Sequence, residues 1–246
     1  MRIWSFQQLL QTLTTQVTIP PTGAAVLGHP SLAADLEMIR AYFAATAQLA
    51  QQPELRNPHV EEAVPASVRN QAKVSAVLLP IINRPEGLTL LVTRRHAQIR
   101  FAGHICFPGG RADPLDTSPV ATALRETLEE INLDTAAIEV LGVLGDYYTQ
   151  AGYRITPVVG LVQPPFAVLA NPGEVDEIYE VSLARALDGR NYALTWHRPG
   201  RAHFAFSEGQ VRIAGPTVSV LIGFYEALLG FESSRAAALA QAESNI

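Results

Sequence analysis

A glycine pair, Gly109-Gly110, runs into a helix-forming segment that carries Arg125-Glu126 and Glu129-Glu130, and this series constrains the fold more than any other part of the chain. Glutamates at i, i+3 and i+4 share one helical face, where each like-charged pair costs about 0.2–0.5 kcal/mol in water. The spacing of Glu126, Glu129 and Glu130 therefore asks for a cation beside them. A glutamate-rich face alone also describes a solvated helix surface, so the glycines carry the distinction. Following Phe107-Pro108, they mark a strand end entering a sharp loop, where glycine permits positive φ and lets a ligand approach the backbone. Strand, glycine loop and acidic helix in series form a pocket with carboxylates on one wall.

The punctuation of the segment sets the helix limits. Ser118 is the N-cap and Pro119 takes the first helical position, where a missing N–H costs nothing. Asn132 stands at the end, since asparagine tolerates the left-handed conformation that closes a helix. Val120, Leu124, Leu128 and Ile131 recur at helical spacing as an apolar stripe, with the carboxylates on the other side and Glu130 nearest the boundary. With oxygen ligands and no Cys or His cluster nearby, the cation is Mg²⁺ or Mn²⁺ rather than zinc. Mg²⁺ is commonly shared between carboxylates and substrate phosphates, so the expected substrate is a phosphate ester or anhydride.

These residues resemble the Nudix box, G-x5-E-x7-R-E-U-x-E-E-x-G-U with U aliphatic, which marks hydrolases of nucleoside diphosphates linked to another moiety. Gly110 matches the leading glycine, Asp116 stands for the first acid, and Arg125, Glu126, Glu129 and Glu130 match the core. One extra residue separates Asp116 from Arg125, Asn132 replaces the usual glycine, and Thr127 fills an aliphatic slot. Upstream, Leu90-Leu91-Val92-Thr93-Arg94-Arg95, Arg100, Gly103 and Phe107-Pro108-Gly109-Gly110 resemble the signature of the coenzyme A pyrophosphatase group, whose spacing Asp113 and Asp116 also fit. Here too there are departures: His96 takes a small-residue position, and the gap from Arg100 to Gly103 is one residue short.

The resemblance implies an α+β fold, a Nudix-like α/β/α sandwich with a mixed sheet, preceded here by a helical N-terminal extension. It implies metal ligands at Glu126, Glu129 and Glu130, an orienting ion pair from Arg125, and a loop geometry set by Gly109 and Gly110. Arg95 and Arg100 fall on the substrate's phosphates, for which bidentate guanidinium groups are suited. The general base comes from the box or from an acid outside it, Glu174 or Glu177 after the turn Asn171-Pro172-Gly173. The implied reaction is metal-dependent hydrolysis of coenzyme A or an acyl form to 4′-phosphopantetheine and adenosine 3′,5′-bisphosphate. Open beside it stand a Nudix hydrolase of ADP-ribose, NADH or a nucleoside triphosphate, and a nucleotide-binding module without turnover.

The remaining sequence reads as scaffold. Strands are expected over Lys73 to Ile82, Leu88 to Thr93, Ile138 to Leu144 and Ile155 to Val162, with Asp146 to Arg154 a loop and a helix near Ser219 to Leu229. Residues 1–66 form a helical extension and proline-punctuated linker, 67–235 the hydrolase domain and 236–246 a C-terminal tail. The extension is a packing element, a dimerisation element that would make a homodimer, or a segment that gates the substrate. In the loop after the box, Tyr147, Tyr148 and Tyr153 stack on adenine, line a pantetheine channel, or pack at the core edge. A net charge of −5 gives no field for nucleic acid, so the expected partner is a small molecule met by local arginines. No run reaches membrane-spanning length and no signal pattern opens the chain. The lone Cys106, read as buried filler, excludes an intramolecular disulfide and suits a reducing cytoplasm.

Overall fold

In the computed structural model, which describes residues 25–47, 49, 51–59, 63–198 and 201–243, strand β1 (Ala25–Val26) precedes helices α1 (Leu36–Thr46) and α2 (Ala66–Asn70). The chain then runs through β2 (Lys73–Arg84), β3 (Gly87–Arg95), β4 (Ile105–Cys106), β5 (Gly109–Arg111) and α3 (Pro119–Ile131). There follow β6 (Ile138–Val143), β7 (Tyr147–Tyr148), β8 (Tyr153–Val162), β9 (Val175–Ser182) and the short α4 (Leu183–Ala186). It ends in β10 (Tyr192–Arg198), β11 (Arg201–Glu208), β12 (Val211–Ala214) and α5 (Gly215–Glu243).

The β-branched run at Lys73 becomes the centre of one mixed sheet. β2 lies parallel to β8 from Lys73 opposite Tyr153 to Ile82 opposite Val162. On its other edge it changes partner: β3 pairs with Ile81 to Arg84, and β5 pairs with Ser75 to Val77. β9 pairs along the other edge of β3 from Thr89 to Arg95, and beyond Leu90 the edge that faced β2 takes β4 at Thr93 and Arg94, so the sheet opens between β3 and β5. β10, β11 and β12 continue it beyond β4.

Alternation along β2 sends its side chains to two cores. Leu79 and Ile81 join the α1 and α5 side with Ile39, Phe43, Val220 and Phe224, whereas Ala76 and Leu78 meet Ala123 of α3. The result is the expected α+β sandwich of a mixed sheet between helices.

Most elements stand where the sequence placed them, with instructive differences. Tyr147–Tyr148, expected in a loop, form a short strand on β8. The presumed linker is a packed strap: Leu55 donates its N–H to Asp146 O at 3.0 Å and joins the main core, and its side chain faces Gly223 of α5. The described extension is packed into that core as well, through Met38, Ile39, Tyr42 and Phe43 of α1, and Arg40 pairs with Glu139 of β6. The boundary at 66/67 falls within α2, and α5 runs unbroken across that at 235/236. Residues 1–24 lie outside the described ones.

The termini of α3 form as read. Ser118 accepts from Ala121 N at 3.1 Å, Pro119 starts the helix, and Asn132 closes it at φ 51°. Asn132→Gly is expected to leave the unfolding free energy within about 1 kcal/mol, because both residues tolerate that conformation, whereas Asn132→Val costs roughly 1–2 kcal/mol. Chemical denaturation of the two variants checks this, and a glycine variant as damaged as the valine one would contradict it.

Candidate active site

The buried face of α3 differs from the stripe expected of it. Leu128 is 44% exposed, and the buried positions are Thr122, Ala123, Thr127, Glu130 and Ile131. Thr127 is accommodated because its hydroxyl donates to Ala123 O at 2.7 Å. Glu130 is thus on the packed face, and only 3% of it is exposed.

Two glycines let this helix approach the sheet. A Cβ on Gly109 would lie 2.4 Å from Ala76 O and 2.6 Å from Val77 Cα, and one on Gly110 would lie 2.3–2.5 Å from the carboxylate atoms of Glu126. Gly109 in turn donates its N–H to Glu130 Oε2 at 3.2 Å. The loop is therefore wedged between β2 and two carboxylates, with backbone atoms barring a side chain at Gly109 and the Glu126 carboxylate occupying the space beside Gly110.

Arg125 organises the outer part of the cluster. It donates to both oxygens of Asp116 at 3.0 Å and to Arg111 O at 3.0 Å, and pairs with Glu126 and Glu129, each at 3.0 Å. Asp116 also accepts from Asp113 N and from the Thr122 hydroxyl, both at 2.9 Å. Arg125, helped by the Asp113 N–H, holds the Asp116 carboxyl well below the usual carboxylate range. The extra residue between Asp116 and Arg125 leaves the clamp intact.

Glu126 and Glu130 are displaced the other way. Burial raises both, and each is raised further by Glu174. Burial pushes Glu130 to about 7, although Arg95 Nη1 lies 3.6 Å away and opposes the shift. Segment 169–174 explains why Glu174 is here. Leu169 N donates to Ile131 O and Asn171 N to Glu130 O, both at 2.8 Å, and the Asn171 amide reaches Glu129 O at 3.3 Å. The unpaired carbonyls at the end of α3 thus anchor the turn that delivers Glu174.

Among the described residues no three His, Cys, Asp or Glu side chains are already grouped as ligands of one ion. The donor chemistry nevertheless fits a hard divalent cation: Glu126 and Glu130 are carboxylates whose charged forms are disfavoured by burial, Glu129 stands beside them, and Arg125 holds Glu126 and Glu129 in place. A cation at this wall would offset that imbalance.

The imbalance has a consequence for stability. The folded carboxyl of Glu130 titrates near 7 against an ordinary value of 4.5, so the folded state binds the extra proton. The stability this group contributes is complete below about 4.5 and is lost as pH rises through about 7, to the extent of about 3 kcal/mol. In chelator, the melting temperature of the wild type relative to Glu130→Gln is expected to fall between pH 5 and 8. A constant difference would contradict the shift.

A cavity of about 1300 Å³ opens from this wall. Arg95, Arg100, Gly109, Gly110, Arg125, Glu126, Glu130 and Glu174 line it. Glu129 does not line it; half of its side chain is exposed. Glu177 is also outside: a bulge lets β3 advance one residue from Arg94 to Arg95 while β9 moves two, and Glu177 pairs with Arg94 at 3.3 Å, opposite in sense to the inward Arg95. Of the tyrosines, Tyr147 and Tyr153 reach the cavity, whereas Tyr148 lies under Arg69. Cys106 borders the cavity, with its thiol pushed up by burial.

Some lining residues lie outside the glycine loop, the acidic helix and the arginine segment before them. His59 comes from the strap and accepts from Phe204 N at 3.1 Å, His203 comes from β11 with its ring 4.9 Å from that of His59, and Gly215 to Thr217 begin α5. None belongs to the motifs, and their convergence depends on distant elements folding over β4.

Residues 72–204 match the family model described as the NUDIX domain. The Nudix hydrolase NudL of Photorhabdus laumondii, itself described as uncharacterized, is 45% identical over 141 residues, spanning 56% of this chain and 75% of that protein. Its namesake in Yersinia enterocolitica is 40% identical over 167 residues, spanning 66% and 85%. Among solved structures, the chain is similar to a Nudix hydrolase from M. smegmatis, RenU, with a TM-score of 0.39 and 20% identity over 46% of this chain and 71% of that one.

Proposed function

We propose, from the premise that this chain belongs to the NUDIX domain family and is a Nudix hydrolase, that it cleaves the pyrophosphate bond of coenzyme A or its acyl forms. The products are 4′-phosphopantetheine, or its acyl form, and adenosine 3′,5′-bisphosphate. The observation that carries this reading is the joining of two motifs in one cavity. Glu126 and Glu130 line the same cavity as Arg95 and Arg100 from the upstream signature, and the apolar part of its lining includes Tyr147, Ile155 and Val220 of α5. At about 1300 Å³ it exceeds the roughly 300–1000 Å³ usual for small-ligand pockets, which suits a long substrate with a charged end and an apolar end.

Glu126 and Glu130, which line the cavity, are assigned to hold Mg²⁺ or Mn²⁺, with Glu129, tied to Glu126 through Arg125, as the third acid of the set. When bound, such ions neutralise pyrophosphate oxygens and lower the pKa of water. The chain's own contributions are positional. Arg125 holds Glu126 and Glu129 in place while Asp116 holds Arg125. Arg95 and Arg100 meet the phosphates as fixed positive charges, lowering the cost of bringing a polyanion to a chain of net charge −5. Glu174 is assigned as the proton acceptor for the attacking water, because of the two acids outside the box it lines the cavity and Glu177 does not. The Gly109 N–H keeps Glu130 oriented through their 3.2 Å bond.

The test is a comparison of kcat/KM for coenzyme A, acetyl-coenzyme A, dephospho-coenzyme A, ADP-ribose, NADH and dGTP with either metal. Preference for coenzyme A over its dephospho form is the expected result. Preference for ADP-ribose or NADH would retain the hydrolase and discard the substrate, and silence across the panel would favour a binding module.

A further inference from the structure

The loop between β3 and β4 holds Phe101 in a conformation that costs stability without a packing return. Its φ is 62°, in the left-handed region, and the residue is 47% exposed at the cavity wall. Among the described residues, the only other positive-φ non-glycine is Asn132, a residue type that tolerates it. A bulky side chain left in this state, half in solvent, points to function rather than folding.

The surroundings give the ring's purpose. The Arg100 guanidinium lies 4.8 Å from the Phe101 ring centroid and 5.7 Å from that of Tyr153, whose hydroxyl accepts a hydrogen bond from Arg100 at 3.1 Å. His104 stands 6.0 Å from Phe101 in a tilted arrangement, and Lys73 lies 5.9 Å from the Tyr153 ring. A half-exposed aromatic side chain beside Arg100, with Tyr153 and Lys73 close by, suits a phosphorylated aromatic heterocycle. The loop is also tied to the carboxylate wall: Gly103 N donates to Arg95 O at 2.9 Å, Arg95 Nε donates to Arg100 O at 3.2 Å, and Arg95 Nη1 stands 3.6 Å from Glu130.

We propose that Phe101 is a stacking platform for the nucleobase of the substrate, with Arg100 meeting a phosphate on the same nucleotide. This rests on the reading of the cavity as a nucleotide site, but not on coenzyme A as the particular nucleotide. The position in the left-handed region makes the test sharp, because glycine removes the ring and the strain together.

The probes are adenosine 5′-monophosphate and ribose 5-phosphate, which differ only in the base, titrated calorimetrically into the full-length protein with Mg²⁺. Phe101→Gly is expected to melt no lower than the wild type and to bind adenosine 5′-monophosphate about 5- to 100-fold more weakly, the range expected for one lost base-aromatic stack. Ribose 5-phosphate should bind both proteins equally, Phe101→Trp should keep the nucleotide affinity, and Phe101→Leu should lose it while keeping apolar bulk. Unchanged nucleotide binding by Phe101→Gly and Phe101→Leu would overturn the proposal. So would equal losses for both probes, which would make Phe101 a support of the loop. Failure to cleave coenzyme A leaves this comparison unaffected, so the two readings fall separately.

Discussion

Alanine at Gly110 is expected to lower kcat by about 10²–10³-fold while the melting temperature moves only a few degrees. The added Cβ would meet the Glu126 carboxylate at 2.3–2.5 Å, and that carboxylate is the far end of a flexible side chain that can swing aside. What is lost is the placement of one charged group at the reacting centre, a loss of the size seen when a preorganised electrostatic contact is removed. Gly109→Ala should reverse the pattern. Its Cβ would meet Ala76 O and Val77 Cα, backbone atoms of the central strand, at a position with φ 150°. Relief requires β5 to leave β2, so destabilisation on the order of 3 kcal/mol or more is expected. Thermal melts and steady-state rates on the two variants separate the cases, and a Gly110→Ala enzyme with wild-type turnover would mean that Glu126 is not held where activity needs it.

Glu126→Gln should be the most damaging of the isosteric changes, lowering kcat by about 10³-fold with little change in stability. Arg125 keeps its bidentate partner Asp116 and its contact with Glu129, so the clamp should survive. The amide takes away a negative charge that burial already disfavours, which leaves no folding penalty to confuse the kinetics. If the loss is a loss of metal affinity, high Mn²⁺ should recover part of the rate. A variant that turns over within a few-fold of the wild type at ordinary Mg²⁺ would remove Glu126 from the metal wall.

How far the sequence reveals such a site follows from the range of the forces involved. The termini of α3 are legible because capping is local: Ser118, Pro119 and Asn132 act within a turn of themselves. The burial of Glu130 is legible from its place at the apolar boundary, but the inward face is not, because Leu128 gives way to Thr127 once the threonine hydroxyl finds the Ala123 carbonyl. Glu174 and Glu177 look alike along the chain. Only the docking of the Asn171 turn on the last carbonyls of α3, together with the bulge opposite Arg94 and Arg95, admits one and turns the other away. The strap that brings His59, and the start of α5 that closes the cavity, depend on contacts between residues more than a hundred apart, such as His59 with Phe204 and Ser219. No local pattern encodes those meetings.

Metal dependence of the carboxylate wall and cleavage of one pyrophosphate bond are tested together by a single set of reactions. Coenzyme A is incubated with the wild-type protein in Mg²⁺, in chelator, and in chelator followed by excess Mn²⁺, with Glu126→Gln beside it in Mg²⁺, and products are resolved by chromatography with mass detection. The expected result is 4′-phosphopantetheine and adenosine 3′,5′-bisphosphate in equal amounts from the wild type with Mg²⁺, none in chelator, recovery with Mn²⁺, and near silence from the variant. Cleavage that persists in chelator, or a variant as fast as the wild type, would contradict it.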